Sequence, residues 1–356
     1  MTKARTSEKR PGNKKNSRHQ NRLQQRPARD HAAILIDTVC LIAGSEHLIG
    51  DRNDEPTQRL RAAIADHDTA RIFETLMEAF SFQGISDAVA RGYMDAHGRP
   101  SWHQVERSTT GADLCPKLTN YWTYDSCRFE KSTWTCAEQD RIACCRLPHH
   151  DLRTGRLNQT ATALYLFIRD VANGDLVNWI DNQFRRASVG ANTSRPSRMR
   201  DALIEPLCHV VGISRKVTNM AMSDLLMAAP RTKRHWFETG VSMIAIDTLV
   251  HNFLHRTGIL RRFNAQHSYG PACYRPNGGC AEIITQIATR IDARQTNSKY
   301  PATFPRFVQH AIWRYCAQLE LDVCNGNWID GRKRCRNRGC PLFHLCDRVA
   351  LQPLRP

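Results

Sequence analysis

The chain of 356 residues lacks any long apolar run. Its most apolar early stretch, Ala32 to Gly44, is interrupted by Asp37 and is too short to span a bilayer. The basic start is not followed by the apolar core of a secretory signal. These absences predict a soluble, intracellular protein, either cytoplasmic (nucleoid-associated) or nuclear. Acidic residues are also few: 34 Asp and Glu stand against 51 Lys and Arg, a formal net charge of +17. Such an excess favours a polyanionic partner, because each neutralised phosphate releases counterions, although the same charge also serves simple solubility. Between Thr2 and Asp30 there are ten Lys and Arg against Glu8 and Asp30. With almost nothing apolar to bury, residues 1–31 are expected to be a disordered basic tail, either a solvated segment or an arm that tracks DNA.

Strand-like alternation and repeats of fixed period are missing as well. Helical periodicity takes their place. Ile72, Phe73, Leu76, Met77, Phe80, Ile85 and Val89 recur at three-to-four spacing across 70–90. Leu164 to Ile180 reads the same way, and Phe307 to Cys316 places Val308, Ala311, Ile312 and Tyr315 on one face. An all-α fold follows. Two stretches break the pattern: Thr109 to His150, an irregular insertion, and Arg185 to Arg200, a mobile linker rich in Ser, Arg and Asn.

Fourteen cysteines in a reducing compartment argue against a disulfide framework and for metal ligands plus buried thiols. Cys324, Cys335, Cys340 and Cys346 fall within twenty-three residues, interleaved with Arg332, Lys333, Arg334, Arg336 and Arg338. Four thiolates so grouped suit either zinc or an iron–sulfur cluster. Cys316 is a rival first ligand, although its helical setting suits a packed thiol. Cys115, Cys127, Cys136, Cys144 and Cys145, and the pair Cys273 and Cys280, are too unevenly spaced to assign.

Two further segments carry chemistry. Leu203 to Met227 reads as a helix to His209, a tight turn through Val211-Gly212-Ile213-Ser214, and a second helix from Arg215. Gly212 tolerates a positive φ, and the start of the second helix offers backbone N–H groups to a phosphate oxygen, with Arg215 beside them. Alone, such a unit with Lys216 in it is ordinary architecture. Thirty-one positions later, Asp247 precedes a helix whose apolar face is Leu249, Val250, Phe253 and Leu254. A carboxylate there is a good N-cap; it is also held ionised by the helix dipole, as a stabiliser of positive charge must be. A lysine and an aspartate in one pocket are the parts needed for bond cleavage through a covalent imine.

The run Val210-Val211-Gly212-Ile213-Ser214-Arg215-Lys216-Val217-Thr218-Asn219 resembles the hairpin of the helix-hairpin-helix DNA glycosylases, in particular the endonuclease III-like branch. Ile246-Asp247-Thr248 is similar to that family's Val-Asp-Thr segment. Phe82-Gln83-Gly84-Ile85-Ser86-Asp87 looks like the end of its early helix, and Gly339-Cys340-Pro341 through Leu345-Cys346 like the end of its four-cysteine loop. The four matches occur in the family's order. The sequence departs from the pattern at Val211 and Ser214, in an inserted basic, aromatic loop from Ala228 to Thr239, and in a cysteine spacing of C-x10-C-x4-C-x5-C instead of C-x6-C-x2-C-x5-C.

The resemblance implies two helical lobes flanking a DNA-binding cleft. One lobe is residues 71–243 with the hairpin and the insertion 109–150; the other joins 32–70 to 244–356 and bears the cluster. It implies Lys216 as nucleophile, Asp247 as stabiliser of the sugar cation, and Gln83, Gly212, Ser214 and Arg215 as DNA contacts. Cys324, Cys335, Cys340 and Cys346 would hold a [4Fe–4S] cluster, with zinc as the alternative. The partner implied is double-stranded DNA carrying a damaged base or an abasic site, met by a monomer with no membrane attachment. The activity implied is base excision coupled to abasic-site lyase chemistry. The alternatives are a glycosylase without the lyase step and a non-catalytic, metal-bearing DNA-binding protein.

Overall fold

A computed structural model describes residues 26–46, 48, 54–82, 85, 87–111, 114–130, 135–147, 156–189, 195–325 and 329–352. Residues 1–25 of the basic tail, and Gln83, lie outside the described residues. The fold is all-α, and its one sheet among the described residues is the two-residue antiparallel pair β1 (Phe129–Glu130) and β2 (Thr135–Cys136). Among the described residues no helix is long and apolar enough to cross a membrane.

Two compact units share the chain. One comprises Gly44–Asp247 and Asp292–His310; the other comprises Met1–Ala43, Thr248–Ile291 and Ala311–Pro356.

The larger unit is built on helices α2 (Glu55–Ala65), α3 (Thr69–Ser81), α4 (Asp87–His97), α5 (Trp102–Ser108), α6 (Tyr121–Tyr124), α7 (Arg156–Leu166), α8 (Leu176–Ala187), α9 (Arg195–Leu207), α10 (Arg215–Ala228) and α11 (Arg234–Gly240). The apolar stripe of α3 is buried as its periodicity requires, through Ile72, Phe73, Leu76, Met77 and Phe80. Asp68 caps the helix by accepting from the Arg71 amide at 3.0 Å. Leu60, Ala63 and Ile64 of α2 join the same core. The early segment therefore parts from the cluster-bearing residues at Ala43, whereas the sequence had suggested residue 70. Residues 292–310 also belong here: the Arg306 amide donates to Val241 O at 3.0 Å, and its guanidinium lies 3.6 Å from Asp224.

Three sequence expectations need correction. The apolar run Leu164–Ile180 is not one helix. After α7 the chain forms a wide π-type turn over Phe167–Val171, then reverses through Asn173 (φ 52°) and Gly174 (φ 76°) before Asp175 caps α8. Both flanks of the linker expected over Arg185–Arg200 are helical, because α8 runs to Ala187 and α9 starts at Arg195, with Pro196 in the first turn where its missing N–H costs nothing; residues 190–194 lie outside the described residues. The supposed basic loop 228–239 contains α11. Trp236 is buried there and donates to Asp181 at 2.6 Å, while Lys233 pairs with the same carboxylate at 2.5 Å. Arg231 and Arg234 remain exposed.

The smaller unit begins with α1 (Arg26–Ala43), so residues 26–31, expected within the disordered tail, are helical. Ala32, Leu35, Ile36, Val39 and Cys40 of α1 are buried. The other helices are α12 (Thr248–Arg256), α13 (Ile259–Arg262), α14 (Cys280–Ala288) and the second half of α15 (Pro305–Cys316). Phe253 of α12 meets Tyr315 edge to face at 6.2 Å, and Arg314 donates to Ala43 O at 3.0 Å. The corner between α12 and α13 turns at Gly258 (φ 83°). The C-terminal segment docks on that corner, with Asp347 N bonded to Thr257 O and Val349 N to Arg256 O.

Candidate functional site

Helices α9 and α10 are joined by a tight turn, as the sequence suggested. Its backbone closes through Val210 N to Leu207 O at 3.1 Å and Ile213 N to Val210 O at 3.2 Å. Gly212 sits at φ 85°, where a side chain would be strained. Val210 and Ile213 are buried and anchor the turn, and Ser214, exposed, leads into α10. Arg215 is held by Glu205 of α9 at 2.6 Å, a pair that ties the two helices across the turn. Lys216 lies half-buried in the first turn of α10, beside the fully buried Val217.

Asp247 ends the buried run Met243–Ile246 and directly precedes α12; it is half-exposed. Lys216 and Asp247 belong to the same compact unit. The chain between them passes through α11, which lies tightly on α10: a Cβ at Gly240 would stand 3.0 Å from Leu226, Met227 and the Ser223 carbonyl. Ser223 fixes that approach by donating to Gly240 O at 2.9 Å.

The four thiols of the C-terminal loop are all half-buried. Burial pushes the Cys346 thiol up to about 12, and the neighbouring sulfurs of Cys324, Cys340 and Cys335 add to the effect. Cys340 is raised for the same reasons, although the Tyr315 hydroxyl lies 3.2 Å from its sulfur. Cys324 shifts downward, because the adjacent Cys316 thiol hydrogen-bonds to it. Cys316 itself is fully buried at the end of α15. The thiols thus share one neighbourhood, and charge on Cys324 or Cys335 opposes charge on Cys340 and Cys346. Arg332, Lys333, Arg334, Arg336 and Arg338 are exposed around them.

A second group was not assigned from sequence. His251, His267, Cys273 and Cys280 bring four ligand atoms within 4.8 Å of one another, and this cluster could hold a metal ion. His251 comes from α12, Cys280 is the first residue of α14, and the other two lie on the connection between them. The sequence signal was weak because the ligands are spread over 251–280 with no recurring interval. In the insertion, Cys127 and Cys145 are raised by burial first; Cys145, Cys136 and Cys115 add to the rise at Cys127, and Cys136, Cys115 and Cys144 to that at Cys145, so these thiols also share one neighbourhood.

No protein-family model, no curated protein and no solved structure matches the chain.

Proposed function

We propose that the chain is a DNA glycosylase with an abasic-site lyase step, acting on duplex DNA that carries a damaged base. The observation that carries this reading is the α9–turn–α10 unit. It reverses at Gly212 and holds Lys216 on the first turn of a largely buried helix, within the same compact unit as Asp247.

The chemistry asked of these residues is economical. The N-glycosidic bond breaks with its electron pair leaving on the base, and the carboxylate of Asp247 stabilises the positive charge on the sugar. The neutral amine of Lys216 bonds to the anomeric carbon; the proton its nitrogen loses offsets the one the base takes up. Ring opening gives an imine, which acidifies the 2′ proton. Loss of that proton expels the 3′ phosphate and nicks the strand. The first-turn amides of α10 suit a backbone phosphate, and the exposed basic run 332–338 adds sequence-independent attraction. Gln83 is the residue proposed to fill the space left by the extruded base.

Cys324, Cys335, Cys340 and Cys346 fit a [4Fe–4S] cluster by donor chemistry: four thiols in one neighbourhood, one sulfur met by the Tyr315 hydroxyl and another by the Arg348 amide at 3.3 Å. The cluster would hold the shape of the basic loop.

Oligonucleotide duplexes with single lesions or an abasic site test the reading. The wild-type protein is expected to release at least one lesion base and to nick at the abasic site. Release without nicking would remove the lyase step; tight binding with neither reaction would leave a non-catalytic DNA-binding protein.

A further inference from the structure

We propose that His251, His267, Cys273 and Cys280 form a closed, mononuclear zinc site that staples the α12–α14 connection. This inference stands independently of the glycosylase reading. The sulfur of Cys280 lies 3.4 Å from His251 Nδ1 and 3.3 Å from His267 Nε2, and the sulfur of Cys273 lies 3.5 Å from His251 Nδ1. A tetrahedral zinc with Zn–S of about 2.3 Å and Zn–N of about 2.0–2.1 Å separates S and N ligands by roughly 3.5 Å. The three sulfur–nitrogen separations match the edges of a coordination tetrahedron, and all four atoms lie within 4.8 Å of one another, so an ion needs little side-chain movement to enter.

Pairwise hydrogen bonds can join Cys280 to His267 and Cys273 to His251, but they leave the 3.4 Å approach of Cys280 to His251 Nδ1 without a shared proton. A divalent cation at the centre satisfies all four donors at once. The second imidazole is already oriented for that role. His267 Nδ1 lies 2.6 Å from Ala265 O, and a proton donated there leaves the Nε2 lone pair facing Cys280. Ligand histidines are fixed in just this way by an outer hydrogen bond.

The backbone is shaped around the same point. Cys273 N bonds to Gly270 O at 3.0 Å. A Cβ on Gly279 would stand 2.6 Å from Arg275 O and 2.7 Å from Cys273 O, so only glycine lets the chain fold back and deliver Cys280 as the first residue of α14. Cys273 and Cys280 are 0% exposed and His251 is 5% exposed. Protein fills all four positions and buries three of them, with His267 half-buried at the edge; four protein ligands make the site structural and leave no place for a substrate. An S2N2 tetrahedron of this size suits a single zinc ion; an iron–sulfur core needs its sulfurs further apart.

The test is the metal content and zinc X-ray absorption of the full-length protein, wild type and two double variants. We expect one zinc per chain to remain in Cys335→Ser/Cys340→Ser, with two sulfur ligands at about 2.3 Å and two nitrogen ligands at about 2.0 Å. That zinc should be lost in Cys273→Ser/Cys280→Ser, with a fall in melting temperature. Zinc-free wild-type protein after incubation with zinc, or a shell of four sulfurs in Cys335→Ser/Cys340→Ser, would overturn the site. So would a Cys273–Cys280 disulfide in native wild-type protein by mass spectrometry. Should either variant fail to fold, the wild-type zinc spectrum decides: a histidine contribution supports the site, and its absence refutes it.

Discussion

At the scale of the residue, the account turns on a few polar groups whose partners are visible. Asp247 is given the work of stabilising a sugar cation, so Asp247→Asn is expected to slow base release by about 10²–10⁴-fold while duplex binding is retained. Single-turnover release on a lesion duplex measures this, and an unchanged rate would reduce Asp247 to a helix cap. Asp175 gives a cleaner stability test. Burial would raise its carboxyl, but the Asn178 amide and the His67 ring outweigh that and hold it below the usual carboxylate range. A depressed folded-state value means the charge stabilises the fold above the ordinary carboxylate range, and that this stability is lost as pH falls through the folded value. Asparagine caps a helix about as well as aspartate. The stability gap between wild type and Asp175→Asn should therefore be widest near neutral pH and close in acid, as read by urea unfolding at several pH values. Single residues were legible where chemistry and local pattern coincide, as at Gly212. They were illegible where the partner is remote: nothing near Trp236 in sequence points to Asp181, fifty-five positions earlier.

At the scale of the element, periodicity located α3, which buries one face along its length, and α15, whose apolar positions Phe307, Val308, Ala311, Ile312 and Tyr315 are all buried. It failed across Leu164–Ile180, where apolar spacing continues through a π-type turn and a left-handed Asn-Gly reversal. Spacing records which residues are buried, not whether the backbone between them is continuous. The four thiols of the C-terminal loop were legible as a group because they are close in sequence. The His251–Cys280 group was not, because its members come from two helices and a loop, and only the fold collects them. The corner at Gly258 carries a prediction at this scale. A Cβ there would fall 1.8 Å from the Asp347 carboxylate, at a φ of 83°. Gly258→Ala combines left-handed strain of about 1–2 kcal/mol with displacement of Asp347 from Arg261 and Arg262. A lower melting temperature is expected, with loss of the cluster proposed for the adjoining Cys346 loop; a variant that melts with wild type would contradict this docking.

At the scale of the whole molecule, charge is the property most plainly written in the composition. With +17 overall and five exposed basic residues in 332–338, duplex binding should weaken steeply as salt rises. Replacing Arg332, Lys333 and Arg334 by Gln should make the log–log salt slope shallower by about 0.9 for each phosphate no longer neutralised. An unchanged slope would place these cations away from DNA. Two lobes, one of them discontinuous, were expected from the resemblance, but the place of residues 44–70 and 292–310 in the larger unit could not be read from the sequence, because it depends on packing between segments far apart in the chain.

The central claim, that Lys216 forms an imine with the sugar, is tested most directly by borohydride reduction on a duplex with an abasic site, followed by peptide mapping. The account predicts a covalent protein–DNA adduct located at Lys216 and absent from Lys216→Gln. No adduct with wild type, or an adduct that maps elsewhere and persists in Lys216→Gln, would contradict it.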